Sequence, residues 1–143
     1  MWGADNMGFR VSYSFIEELL RDYYQEKCLK DNLEFELSVK EVPGNAHGWF
    51  EGDTYHQMSI TLTKRRSVNF VLKNRNISFP VVTSETITNN EIEDILKRII
   101  DNSLEGEGLC VSYFSLDASG VIVYVEYKKD KQLVLVNEND QMR

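Results

Sequence analysis

The sequence predicts an α+β domain made of two tandem helix-strand-strand-strand repeats, which form an antiparallel sheet with two helices about a pseudo-twofold. Three observations carry this expectation. Residues 14–29 and 90–99 place apolar side chains at helical spacing; each stretch is followed by the two-residue alternation of a half-buried strand; and a constant offset of 76 superposes the two. Past Val39 the offset falls to 63, and the strand phase is again kept.

In chain order, Phe9, Val11 and Tyr13 alternate as a short leading strand. Ser14 followed by Glu17 is a capping-box pattern, in which each side chain satisfies an orphan backbone N–H of a first helical turn. Ile16, Leu19, Leu20, Tyr23 and Tyr24 then supply the buried stripe of a helix. Leu33, Phe35, Leu37 and Val39 alternate with Glu34, Glu36 and Ser38 as a strand, and Ile60 and Leu62 begin another. A basic hairpin tip is expected at Lys64-Arg65-Arg66-Ser67, returning through Phe70 and Leu72. Residues 75–87, with Ile77, Phe79, Val81 and Val82 around Pro80, read as an extended, partly buried connector.

The second copy opens with Asn90 and Glu93 in place of Ser14 and Glu17, and Ile92, Ile95, Leu96 and Ile99 continue its helix. Leu109, Val111 and Tyr113 form its first strand; a tight turn at residues 116–120 leads to Val123 and Val125. A second basic tip falls at Tyr127-Lys128-Lys129-Asp130, followed by Leu133 and Leu135. The chain of 143 residues is expected to be one domain, with repeat 1 at about 9–74, the connector at 75–87, repeat 2 at about 88–137 and short disordered termini.

Hydrophobic residues at 42% and charged residues at 27% are ordinary globular values, which exclude global disorder and a coiled coil. The net charge of −7, from 23 acids against 16 bases, argues against a general nucleic-acid binder and for a basic partner. Cys28 and Cys110 sit in apolar or alternating runs and read as reduced structural residues, which points to a cytoplasmic setting. No run of about 18 apolar residues is present, and the N-terminal stretch lacks a signal-peptide core.

The difference between the two offsets falls between Val39 and Met58, where repeat 1 holds an insertion that includes Gly44, His47, Gly48, Trp49, Phe50, Glu51, Gly52, Asp53, Tyr55 and His56. Insertions on a repeated scaffold map to surface loops, where binding residues concentrate. Trp49, Phe50 and Tyr55 offer aromatic anchors, Glu51 and Asp53 add negative charge, and no Lys or Arg occurs from Glu41 to Gln57. The competing reading folds Trp49 and Phe50 back onto the core. His47 and His56 match no standard metal spacing, so no metal or other cofactor is expected.

Glu91, Glu93 and Asp94 head an acidic second helix, which is a solvated face in the simplest case and a phosphate-mimicking or toxin-covering surface in the sharper one. Lys64, Arg65 and Arg66 with Lys128 and Lys129 form a candidate anion clamp, if the pseudo-symmetry joins the two basic tips. No glycine-rich phosphate loop, nucleophile elbow or paired metal motif is present.

These features together lead to the expectation of a non-enzymatic, acidic binding protein. It is an inhibitor of immunity or anti-defence type that engages a basic, nucleic-acid-acting enzyme or toxin through Trp49, Phe50, Glu51, Asp53, Tyr55, Glu91, Glu93 and Asp94. The Asn-, Lys-, Ile- and Glu-rich composition suits a mobile-element or phage-like source. The alternative is a small-molecule or nucleotide-sequestering module that uses a cleft between the repeats; a hydrolase using His47 or His56 ranks third. Exposed strand edges also raise self-association into a homodimer.

Overall fold

A computed structural model describes residues 7–43 and 54–128. Six strands and two helices follow in the order β1 (Gly8–Ser12), α1 (Tyr13–Asp31), β2 (Glu34–Pro43), β3 (Thr54–Leu72), β4 (Arg75–Ile87), α2 (Asn89–Leu104), β5 (Leu109–Leu116) and β6 (Gly120–Tyr127), with a 3-10 turn at Glu105–Glu107. The fold is α+β, with all strand pairs antiparallel.

The strands form two three-stranded sheets, β1-β6-β5 and β2-β3-β4. The order β-α-β-β occurs twice along the chain, and each sheet takes its outer strand from the start of the other run. β1 leaves α1 and β2 to pair with β6, Ser12 opposite Gly120, and β4 precedes α2 yet pairs with β3. A Cβ on Gly120 would stand 2.5 Å from the Val11 carbonyl oxygen, so only glycine lets these two backbones approach so closely.

Both helices begin two residues before the Ser14 and Asn90 starts that the sequence implies. The N-cap of α1 is Ser12, whose side chain accepts the Phe15 N–H at 3.2 Å. That of α2 is Thr88, which forms a complete capping box with Glu91. Glu17 instead pairs with Arg21, and Glu93 with Asn89. At the far ends, Asn32 and Gly108 adopt left-handed conformations that release the chain into β2 and β5. The two caps, like the two left-handed residues, stand 76 positions apart.

One apolar cluster lies beneath the helices. It contains Ile16 and Leu20 of α1, Met58, Ile60 and Leu62 of β3, Ile92 and Leu96 of α2, and Val121 and Val123 of β6, all nearly inaccessible to solvent. Each such side chain contributes about 1.5–3 kcal/mol by leaving water. α2 packs on both β3 and β5 and so spans the two sheets, while α1 packs on β1 and β2. Side-chain acceptors reinforce this: Asn89 Oδ1 takes the Met58 N–H at 2.8 Å, and Asp101 Oδ1 takes the Val111 N–H at 2.7 Å, next to the bulge in β5.

Two expectations about the strands are corrected. Lys64-Arg65-Arg66-Ser67 is no hairpin tip, because β3 runs unbroken through it; the turn comes at Lys73 and Asn74, both with positive φ, the signature of a two-residue primed turn. The stretch 75–87 is a strand rather than a connector, and most of it is exposed. Pro80 is accommodated because, among the described residues, β4 is an edge strand with a neighbour on one side only. The expected strand through Leu133 and Leu135 lies outside the described residues.

Candidate interaction surfaces

The two registers of β3 do not coincide. β2 covers β3 only from Thr54 to Thr63, whereas β4 pairs with it from Ile60 to Leu72. Among the described residues, the second sheet therefore narrows beyond Thr63 to a two-stranded arm, residues 64–72 against 75–83, about 30 Å long at 3.4 Å per residue. Along β3, the period that buries Met58, Ile60 and Leu62 passes through Lys64 and Arg66 into Val68, Phe70 and Leu72; on β4, Val81 stands opposite Arg66, Phe79 opposite Val68, Ile77 opposite Phe70 and Arg75 opposite Leu72. The arm thus extends the core-facing side of the sheet past the core. Phe70, Leu72 and Phe79 remain 41%, 58% and 45% exposed. Phe70 and Phe79 meet edge to face at 6.1 Å; the opposite face is mixed, with Ser78 donating to Asn69 at 2.6 Å and Val71 and Val82 exposed beside them.

The arm is also cationic. From Thr54 to Ser84 the chain holds Lys64, Arg65, Arg66, Lys73 and Arg75 and not one acid; with +5 there and −7 in total, the remaining residues carry −12. Of that −12, the described residues outside Thr54–Ser84 carry −9, so among the described residues charge is segregated into a basic ribbon on an acidic body.

A groove of about 530 Å³ runs between α1 and β2, with Cys28, Leu29, Leu33 and Phe35 as its apolar lining and Arg21, Asp22, Gln25 and Glu34 beside them. Leu33 also lines a recess of about 280 Å³ at the base of the arm, with Lys27, Leu62, Lys64 and Glu85. Arg21 stacks 4.8 Å above the Phe35 ring. Among the described residues, no three His, Cys, Asp or Glu side chains converge on a metal-sized site. Among the same residues, no helix is long and apolar enough to cross a membrane.

The acids expected on the second helix are not equivalent. Glu91 closes the capping box. Glu93 is half-buried and accepts from Asn89 at 3.0 Å; burial raises its pKa above the ordinary glutamate value, and the Asn89 hydrogen bond opposes that rise. Asp94 is exposed. Two of the three thus serve the helix that carries them; the exposed acids of this region are Glu91, Asp94, Glu105 and Glu107, and of these Glu91 is taken up by the capping box.

Lys64, Arg65 and Arg66 lie inside β3, and Arg65 is engaged by Glu34 at 3.3 Å. Lys128 follows β6 on the other sheet and donates its backbone N–H to the Gly108 carbonyl. The basic groups expected to form a clamp are therefore placed on different sheets. Tyr55 and His56 belong to β3, opposite Val42 and Glu41, and both are half-buried rather than on a loop. Trp49, Phe50, Glu51, Asp53, His47 and Lys129 lie outside the described residues.

The arm escaped sequence reasoning because the Lys-Arg-Arg run resembles a turn. Two signals in the sequence could have found it: the acid-free span from Thr54 to Ser84, and the unbroken alternation Val68-Phe70-Leu72.

The chain matches no family model, no curated protein and no solved structure. What it binds must be read from its surface.

Proposed function

We propose that this chain is a non-enzymatic binding protein whose acidic body engages a basic protein partner, as an inhibitor of a nucleic-acid-acting enzyme or toxin in the cytoplasm. The observation that supports it is the segregation of charge: −9 on the described residues of the body, from 17 acids against 8 bases, with every cation of the central hairpin set apart on the arm. A surface of one sign steers an oppositely charged partner and raises its association rate, in a way that weakens with salt. The exposed acids Asp94, Glu105 and Glu107, on α2 and its 3-10 extension, are the groups proposed to meet the partner's cations.

The test is affinity capture from host lysate with wild type and an Asp94→Lys, Glu105→Lys, Glu107→Lys variant. Capture of a basic nucleic-acid enzyme by wild type, lost in the variant and reduced by salt, supports the reading. Equal capture by both proteins overturns it.

A further inference from the structure

The turn that closes the arm is poorly served by its residues. Lys73 and Asn74 both hold positive φ, 49° and 65°, and Lys73 carries a side chain that the left-handed region penalises. The strands on either side pair symmetrically about this turn, Leu72 with Arg75, Val71 with Asn76 and so on to Ile60 with Ile87. We propose that the turn is an exchange hinge: it opens, and β3 of each of two copies of the chain takes β4 of the other, giving a reciprocal dimer.

Three observations select a second copy as the partner. The hinge divides the core, with Ile16, Leu20, Met58, Ile60 and Leu62 before it and Ile92, Leu96, Val121 and Val123 after it, all in one cluster. Packing also crosses the hinge, since β1 joins β6 and α2 lies on β3. A chain that opens at 73–74 therefore loses its core until the complementary half is supplied, and a second copy opened in the same way supplies it. The hinge also stands clear of the body. Two arms of about 30 Å joined tip to tip hold the bodies about 60 Å apart. Their like charges, −9 on the described residues of each, then lie far beyond the screening length of about 8 Å at physiological salt. Strain favours opening as well. A two-residue turn demands positive φ at both positions, whereas a connector that runs on from one ribbon to the next does not, and short strained loops are a low-cost route to exchange.

Exchange keeps every pair between β3 and β4 and changes only the chain that supplies it. Monomer and dimer then differ mainly by the strain at the hinge and the entropy of association, so the concentration during folding sets their ratio. Once formed, the two interconvert only by unfolding of the core, and each persists.

The experiment is refolding of the full chain from urea at about 5 and about 200 µM, followed by sedimentation velocity at one final concentration of about 5 µM, with circular dichroism to check folding. Wild type is expected at the 16.6 kDa chain mass from the dilute sample, with a fraction at twice that mass from the concentrated one that survives dilution. Lys73→Asn with Asn74→Gly supplies a preferred primed-turn pair and should cut the dimer fraction at least fivefold. Lys73→Val with Asn74→Thr places β-branched residues where φ is positive and should raise it at least fivefold. A disulfide reports which chains pair. Val71 and Asn76 face each other across the ribbon, so Val71→Cys with Asn76→Cys, in a Cys28→Ser, Cys110→Ser background, closes within one chain in the monomer and between chains in the exchanged dimer. The dimer then runs at double mass on a denaturing gel without reductant. Wild type that stays monomeric after refolding at about 200 µM, a dimer fraction that ignores both turn variants, or a dimer whose disulfides stay within each chain overturns the proposal; the last is the result for two copies docked without exchange.

Discussion

Arg10 and Asp117, 107 positions apart in the chain, are joined by a 2.6 Å ion pair that fastens β1 to the β5–β6 turn. The Asp117 carboxylate also accepts the backbone N–H groups of Ser119 and Gly120, and its carbonyl oxygen accepts the Tyr13 hydroxyl at 2.6 Å. The Arg10 hydrogen bond is the main reason that the Asp117 pKa lies far below the ordinary aspartate value, with the Ser119 N–H next in importance.

A depressed carboxylate pKa fixes the sign of the pH dependence. The unfolded chain binds the proton more readily, so the stabilisation is complete above the unfolded value of about 3.9 and is lost as pH falls below it. Asp117→Asn should remove stability at pH 6 and flatten its decline between about pH 4 and 2. Both groups are solvent-exposed, so 0.5 M salt should shrink the difference. Urea midpoints measured across this range decide the matter; parallel curves for the two proteins would show that the pair contributes nothing.

Glu93 has the opposite sign. Its pKa is raised by burial, so its ionisation costs stability that is retained at low pH and lost as pH rises through the folded pKa. Glu93→Gln keeps an acceptor for the Asn89 amide and should match or exceed wild type at pH 7, with the difference closing near pH 4. A variant clearly less stable than wild type at pH 7 would contradict this.

Asn89→Ala should be costly for a different reason. It leaves the Met58 N–H without its 2.8 Å acceptor, at a cost of about 1–3 kcal/mol. Thr88→Ala removes a helix cap and should cost about 1 kcal/mol. Denaturant unfolding should rank Asn89→Ala at or above Thr88→Ala, and a reversed order would mean that water replaces the Asn89 oxygen.

The turn of the arm can be improved. Lys73 adopts a φ of 49°, a left-handed conformation that costs a residue with a side chain about 1–2 kcal/mol. Lys73→Asn with Asn74→Gly supplies the preferred primed-turn pair. Amide exchange at Val71 and Asn76, which face each other beside the turn, should slow several-fold while exchange at Ile60 and Leu62 stays unchanged. Equal slowing at both places would mean that the arm unfolds only with the whole domain.

The α+β class was legible because burial follows local periodicity. Ile16 and Leu20 are buried on α1, as are Ile92 and Leu96 on α2 and Ile60 with Val123 on the strands, and each of these residues falls on the apolar phase of its own segment. Strand partnership was not legible. Nothing local to Val11 indicates that it will face Val121 rather than a neighbour in its own half, because pairing is decided by tertiary packing. The helix starts were misplaced by two residues because Ser12 and Ser14 can both cap, and only the backbone conformation at Ser12 separates them. Glu91 and Glu93 looked alike as acids; their different roles depend on the capping turn and on burial, which composition does not report.

The exchange of strands between halves also imposes an order on synthesis. β1 emerges first, yet its partner Tyr124 follows Gly8 by more than a hundred residues. At about 5–20 residues per second the first strand waits several seconds or more on the ribosome with no sheet to join. The hairpin of β3 and β4, closed by a two-residue turn, forms meanwhile from local contacts. The Arg10–Asp117 pair, which ties β1 to the β5–β6 turn, can close only when nearly all of the described chain is in place.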